Sequence, residues 1–273
     1  MEHNREVHKD IDILIQTALE IGNHMQGKGF NGHSSEIIYA EGLGQKIIHH
    51  AISARYLSSG YQLGVGSAQF YPQFDFASMA ILTRAAWETY LTLSYLFISG
   101  QSKDELRFRF LCWHLAGFFD RAGATPTEQK HIEMMEFEKS EIERITLQLS
   151  NLPIFQLLPK HNKSKILSGE WKNKSWRELA VDAGFDEHFF KKHYRYLCGY
   201  SHSSRLSVIQ IQQTKDPQRQ KEMADSFLTI LQPVLAKFMF DYITLIPELK
   251  TVATKHKGYE HILLWKGVGE NMK

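Results

Sequence analysis

The sequence predicts an all-α protein, a multi-helix bundle, and three observations predict it. Apolar residues recur at helical spacing in stretch after stretch. No segment shows sustained alternation of apolar and polar residues bounded by hairpin turns. Glycine, proline and capping residues fall where such helices would begin and end. One irregular basic segment interrupts the pattern just before a motif helix at 189–205.

With 43% hydrophobic and 23% charged residues over 273 positions, the chain can bury a sizeable core and reads as an ordinary soluble globular protein. A net charge of +2 excludes bulk attraction to nucleic acid, so any such role must come from local clustering. The two cysteines, Cys112 and Cys198, sit in apolar helical patterns and not in a CxxC, which points to a reducing cytoplasm. The opening MEHNREVHKD is polar and mixed in charge and reads as no signal peptide. Three parts are expected: a helical hairpin at 1–60, a main bundle at 74–247 and a polar tail at 251–273.

Residues 7–25 place Ile11, Leu14, Ile15, Ala18, Leu19 and Ile21 on one helical stripe, stopped by Gly27, Gly29 and Gly32. Ser34 or Ser35 would cap a second helix running to about Leu57, weakened in its first half by Gly42 and Gly44. The glycine-rich 60–72 is a connection, and its GVGS lacks the context of a phosphate loop. Between 74 and 98 apolar residues wrap almost the whole helix, the mark of a structural centre. That stretch also raises the question of a membrane span, but Arg84 and Glu88 stand in it one turn apart, as a buried ion pair would.

Ser102 caps a helix that ends near Gly123, and Thr125-Pro126-Thr127-Glu128 opens another. The latter is acidic, with Glu128, Glu133, Glu136, Glu138, Glu141 and Glu143 against Lys130 and Lys139, and reads as a solvated face or as a mask for a basic surface. From 151 to 184 periodicity breaks down and the charge changes sign. Lys160, Lys163, Lys165, Lys172, Lys174 and Arg177 stand against Glu170, interleaved with Trp171 and Trp176. Cations beside aromatic faces suit a phosphate backbone with stacked single-strand bases; the same tryptophans could instead anchor a solubilising loop to the core. Ser175 and Glu178 form a capping box for a short helix stopped by Gly184. After the motif helix come an apolar strip at 206–211 and a long helix from about Pro217, expected to kink at Pro233 and end at Pro247.

In the motif helix Arg195 and His202 lie seven positions apart, close to two turns, and so share a stripe flanked by Tyr194, Leu197, Cys198 and Ser201. An arginine and a histidine so placed can hold a phosphate and move a proton; they can equally be satisfied structural groups of an amphipathic helix. No HExxH, paired CxxC, DxDxDG, GxSxG, kinase or P-loop signature is present, so no metal or cofactor is expected. The His49-His50 pair and His188 with His193 are candidates only for adventitious metal binding. A pocket between helices lined by Trp87, Tyr90 and Trp113 is a further possibility, with no ligand indicated.

Arg84-Ala85-Ala86-Trp87-Glu88, followed about a hundred residues later by WRELAVDAGFDE and YRYLCGYSH, resembles DUF5677, a family of bacterial all-helical domains of unknown function. Its early R-x-x-x-E and late Y-x-x-L-x-x-x-x-H elements match Arg84, Glu88, Tyr194, Leu197 and His202, and the likeness covers roughly 74–240. The chain also looks like a distant relative of the HEPN superfamily, whose nuclease members carry an arginine followed four to six residues later by a histidine. Six residues separate Arg195 from His202, but Tyr196 stands where active members commonly have a small polar residue.

The resemblance implies metal-independent RNA cleavage in which the RNA's own 2′-hydroxyl attacks. His202 would shuttle the proton, Arg195 would stabilise the phosphate, and Arg205 or Arg84 would supply a second cation. Ser201 would flank the histidine, and Lys163, Lys165, Trp171, Lys172, Lys174, Trp176 and Arg177 would guide the strand. The resemblance further implies a homodimer, and a toxin or antiphage-defence effector held by a neutralising partner. The alternative is a non-catalytic binding or dimerisation module in which Arg84, Glu88, Tyr194 and His202 form a structural network.

Overall fold

Helical periodicity carries through to three dimensions: among the described residues every regular element is a helix, and the one isolated bridge pairs Tyr61 with Gln73. The computed structural model describes residues 2–29, 35–62, 73–120 and 127–271, with side chains from Val7 onward. In order the helices are α1 (Glu2–Asn23), α2 (Ile37–Leu57), α3 (Phe76–Phe97), α4 (Lys103–Phe119), α5 (Gln129–Ser150), α6 (Pro153–Gln156) and α7 (Lys160–Leu167). They continue with α8 (Trp176–Asp182), α9 (Glu187–Ser201), α10 (Arg205–Gln213), α11 (Pro217–Leu245), a 3-10 turn at Pro247–Leu249, α12 (Lys250–Lys255) and α13 (Tyr259–Asn271). The chain divides into two units, one made of Met1–Ser94 and Ala180–Lys273, the other of Tyr95–Leu179.

In the first unit α1, α2 and α13 pack against α11. Phe227, Leu228, Leu231, Val234 and Leu235 of α11 are fully buried, and each such side chain contributes roughly 1.5–3 kcal/mol by leaving water. By length and composition α11 could cross a membrane, but 72% of its most apolar window is buried inside the fold, as in a core helix. The helix passes through Pro233 without interruption and stops before Pro247. Gly44 lets α2 come close: a Cβ there would meet the Phe238 ring at 3.1 Å, so the glycine expected to weaken α2 is what seats it.

α3 is buried on most of its circumference, with Met79, Trp87, Tyr90, Leu91 and Leu93 fully covered, while Ile81 is exposed and Arg84, Ala85 and Glu88 are half-buried. Trp87 packs against Phe185, Phe189 and Phe190, and Tyr90 lies edge-on to Phe185. These two aromatics are core, not the wall of a ligand pocket. Tyr90 donates to Asp241 at 2.5 Å, and Lys237 joins Asp241 and Glu270, each at 3.3 Å. Burial of the Asp241 carboxyl raises its pKa even beside Lys237, and burial pushes the Tyr90 phenol well up.

Several local expectations change. The cap of α2 is Glu36, which makes no side-chain cap bond; Ser35 lies in the preceding turn, and Ser34 and Gly32 fall outside the described residues. The GVGS stretch, Gly123, Thr125 and Pro126 also fall outside them. The residues expected as a polar tail form α12 and α13, because Ile262 and Gly269 give α13 a face that buries against α11. Gly269 allows that approach: its Cβ would meet Phe185 at 3.1 Å and Pro233 at 3.2 Å.

The second unit is built on Leu111, Cys112 and Leu115 of α4, Ile145 and Leu149 of α5, and Phe155 of α6. Ser102 caps α4 by accepting from the Glu105 N–H at 3.1 Å. Arg109 is buried with bonds to Tyr95 O at 2.9 Å and to Glu105 at 2.5 Å. On the acidic α5, Glu138 is buried rather than solvated, and Glu141 pairs with Arg144, a cation on the same helix. The basic segment is ordered more than its sequence suggests: 160–167 is helical, Gly169 at φ +99° turns the chain, and the Ser175–Glu178 capping box opens α8.

Candidate active site

The candidate site residues are held by α3 and α9. Asp186 starts α9 by accepting from the Phe189 N–H at 2.7 Å, the side-chain bond that satisfies a first-turn amide. The motif helix does not run to Arg205. It ends at His202, the C-cap, because Ser203 adopts φ +49° and Ser204 N–H returns to Gly199 O at 2.8 Å. Gly199 makes room for that turn, since a Cβ there would meet Ser204 Oγ at 3.0 Å. Ser204 then caps α10, which Arg205 begins, exposed.

Four of the expected residues come together. Arg84 donates through Nε to Glu88 Oε1 at 2.8 Å, and its NH1 lies 3.0 Å from His202 Nε2. A guanidinium has no acceptor atom, so Nε2 accepts and the imidazole proton sits on Nδ1. The Tyr194 hydroxyl donates to the same Glu88 Oε1 at 2.5 Å. The Arg84 guanidinium stands 5.6 Å from the Tyr194 ring centroid, and Phe190 stacks on Tyr194 at 4.7 Å. Phe190 in turn meets the buried Trp87 edge-on at 5.0 Å, so the polar cluster stands on an aromatic floor. His202 is exposed, whereas the side chains of Arg84 and Glu88 are 17% and 25% exposed.

The electrostatics hold Tyr194, Arg84 and Cys198 each in its protonated form. Burial, then the bond to Glu88, pushes the Tyr194 phenol far above its ordinary value, so it remains a donor. Burial pulls Arg84 down, but the Glu88 bond and charge outweigh it and the guanidinium is held more firmly cationic than usual. Burial raises Cys198 against the lowering effects of Arg84 and Tyr194, which keeps the thiol protonated.

Arg195 does not join this cluster. It is exposed and lines a separate depression of about 450 Å³ with Lys192, Tyr196, Gly199, Ser207 and Gln210, a set without His202. On an ideal helix the two would share a stripe, but His202 occupies the cap, with φ −109° and ψ 17°, and its ring bonds Arg84. Ser201 is half-buried and bonds only the helix carbonyl of Leu197, at 3.5 Å. Tyr196, the departure from the nuclease pattern, packs flat on Phe227 at 5.7 Å and accepts from Gln210 at 3.2 Å. Its size serves the core.

The expected nucleic-acid residues belong to the second unit. Lys163 bonds Gln156 O at 2.7 Å, and Lys165 pairs with Glu170 at 3.1 Å. Trp171 meets Tyr95 and Trp176 edge-on, at 5.8 and 6.3 Å, and Lys172 lies 4.7 Å from the Trp176 ring centroid. Lys174 is half-buried and Arg177 exposed. The aromatic faces are thus engaged with one another and with the unit's core. Reasoning on sequence missed the part of this neighbourhood supplied by Asn162 and Tyr95, because they reach it from different segments and no spacing rule joins them.

Comparison with curated proteins and with solved structures finds no match. Residues 72–219, more than half the chain, match the family of unknown function DUF5677. That span holds α3 and α9 and with them Arg84, Glu88, Tyr194 and His202, and this chain belongs to the DUF5677 family.

Proposed function

We propose that the protein is a metal-independent endoribonuclease in which His202 moves the proton and Arg84, in place of Arg195, is the cation beside it. The observation that carries this reading is the 3.0 Å contact between an exposed imidazole and a guanidinium fixed from behind by Glu88. An RNA phosphate entering the cluster takes the NH1 donors of Arg84 onto its non-bridging oxygens, which frees Nε2 to accept. His202 then removes the proton of the 2′-hydroxyl, whose oxygen attacks the adjacent phosphorus. The bond to the 5′-oxygen breaks, that oxygen receives the proton from the imidazolium, and the products are a 2′,3′-cyclic phosphate and a free 5′-hydroxyl. Imidazole suits both proton steps because its ordinary pKa lies near neutrality. The HEPN likeness adds a second copy of the chain completing the site, a toxin or antiphage-defence role and a neutralising partner to the same proposal.

A different observation favours a second reading, a non-catalytic binding or dimerisation module. Glu88 accepts from both Arg84 and Tyr194, so the cluster is internally satisfied and can serve only to fix α9 against α3. One experiment separates the two: purified protein is incubated with total RNA in EDTA, wild type beside His202→Ala, Arg84→Ala and Arg195→Ala. The nuclease reading expects cyclic-phosphate ends, lost by about 10²–10⁴-fold in the first two variants and retained in the third. Intact RNA with wild type, together with a lower melting temperature for His202→Ala, would leave the structural network as the account.

A further inference from the structure

The first unit holds a cleft that none of the candidate active-site residues lines. Its volume is about 320 Å³, at the lower end of the roughly 300–1,000 Å³ usual for ligand pockets. The walls are α1 with the turn after it, α2 and α11. Phe238, Met239 and Ile243 of α11 are buried and form an apolar floor. Leu19, Met25 and Ile48 stand around it with part of their surface open to solvent, Leu19 as much as 43%. An open apolar rim above an apolar floor favours a ligand with an apolar body.

The polar edge of the cleft has one sign. Glu41, Gln45 and His49 follow one another at four-residue spacing along α2 and so share a face. Glu41 is half-buried and accepts from Gln45 at 3.3 Å. It is the one acid among the described lining residues, and they include no lysine or arginine to neutralise it. From α11 comes Tyr242, half-buried, its ring 5.6 Å from that of Phe238. Burial, and after it the Glu41 charge, raises the Tyr242 phenol, so the ring stays neutral and the carboxylate acts on it directly.

A carboxylate without a cation, an aromatic ring within reach of its charge and an apolar floor are together the complement of a hydrophobic cation. We propose that this cleft binds a small organic ammonium ion, its apolar chain over Phe238, Met239 and Ile243 and its charged end between Glu41 and Tyr242. The proposal goes beyond RNA cleavage and does not rest on it.

Calorimetric titration of the intact chain tests it, with octyltrimethylammonium, octylamine, octanol, octanoate and tetramethylammonium as probes, all below their micelle-forming concentrations. At least one of the two long-chain cations is expected to bind about tenfold or more tightly than octanol, octanoate or tetramethylammonium. Glu41→Gln should remove about tenfold of that affinity and with it the preference over octanol. Gly22 lines the cleft, and a Cβ there meets nothing within 4 Å. Gly22→Leu should therefore fill the cleft and abolish binding without lowering the melting temperature, since leucine is the better helix former. His202→Ala should bind as wild type does. Absence of binding by either long-chain cation at several millimolar, octanol or octanoate binding as tightly, tetramethylammonium alone binding as tightly, or affinity indifferent to both cleft variants would each overturn the proposal. A dimer in light scattering that Gly22→Leu dissociates would give the cleft to a second copy of the chain and overturn it as well. Binding is read without RNA, so its failure is distinct from a failure to cleave.

Discussion

Ser203 carries more of the site than its side chain suggests. At φ +49° it takes a left-handed conformation that L residues enter at a penalty, and by doing so it ends α9 with His202 at the cap instead of on the next turn. A β-branched residue tolerates that torsion worst. Ser203→Val is therefore expected to lower stability by about 1–2 kcal/mol, measured as a reduced urea midpoint, and to loosen the His202–Arg84 contact with it. An unchanged midpoint would show that the turn finds another conformation at no loss. The same residue explains what sequence reasoning could and could not see. Arg84, Glu88, Tyr194 and His202 were legible as a motif, because their types and spacings stand in the chain. Which cation stands beside His202 was not, since the helical wheel offers Arg195 and the network reading offers Arg84, and only the fold brings the Arg84 guanidinium within 3.0 Å.

Among the elements, α9 governs the geometry. Its start is fixed by one side chain, Asp186, and its packing by Phe189 and Phe190 against Trp87. Asp186→Ala should weaken the fold by about 1 kcal/mol, the usual loss on removing an N-cap, seen as a melting temperature a few degrees lower; Asp186→Asn, which keeps the accepting oxygen, should recover most of it. Equal melting of the alanine and asparagine variants would assign the start of α9 to packing alone. Cap and stop signals were the part of each element most readable in advance: Ser102 at α4, Ser175 with Glu178 at α8 and Pro217 at the start of α11 all stand where the chain places them. Short helices such as α6 and α7 were less so, because a helix of two turns has too few positions to show a period, and its stability comes from the core it covers.

For the whole molecule, acid is the expected weakness. Burial lowers the pKa of His50, His114 and His193 below the ordinary imidazole value of 6.5. Each folded-state histidine therefore favours its neutral form more than the unfolded chain does. Their contribution is complete above about 6.5 and declines as pH falls from there through the folded-state values, because the unfolded chain then binds more protons. Asp225 adds to this at lower pH: burial raises it, but bonds from His8 and Lys221 outweigh that, so its stabilisation is present above 3.8 and lost as pH falls through its folded-state value. Urea midpoints should fall between pH 7.5 and 5.5; a midpoint equal or higher at 5.5 would remove the buried histidines from the account. The sequence by itself determined the all-α class, the starts of α4, α8 and α11, the extent of α3 to within two residues and the four residues of the cluster, because periodicity, capping and residue type are local properties. Tertiary structure alone decided that α13 covers α11, that Glu138 is buried, that His202 answers to Arg84, and that Tyr95, Asn162 and Trp171 line one cavity. Those are contacts between distant segments, and their distances are set by packing, which no short stretch of sequence encodes.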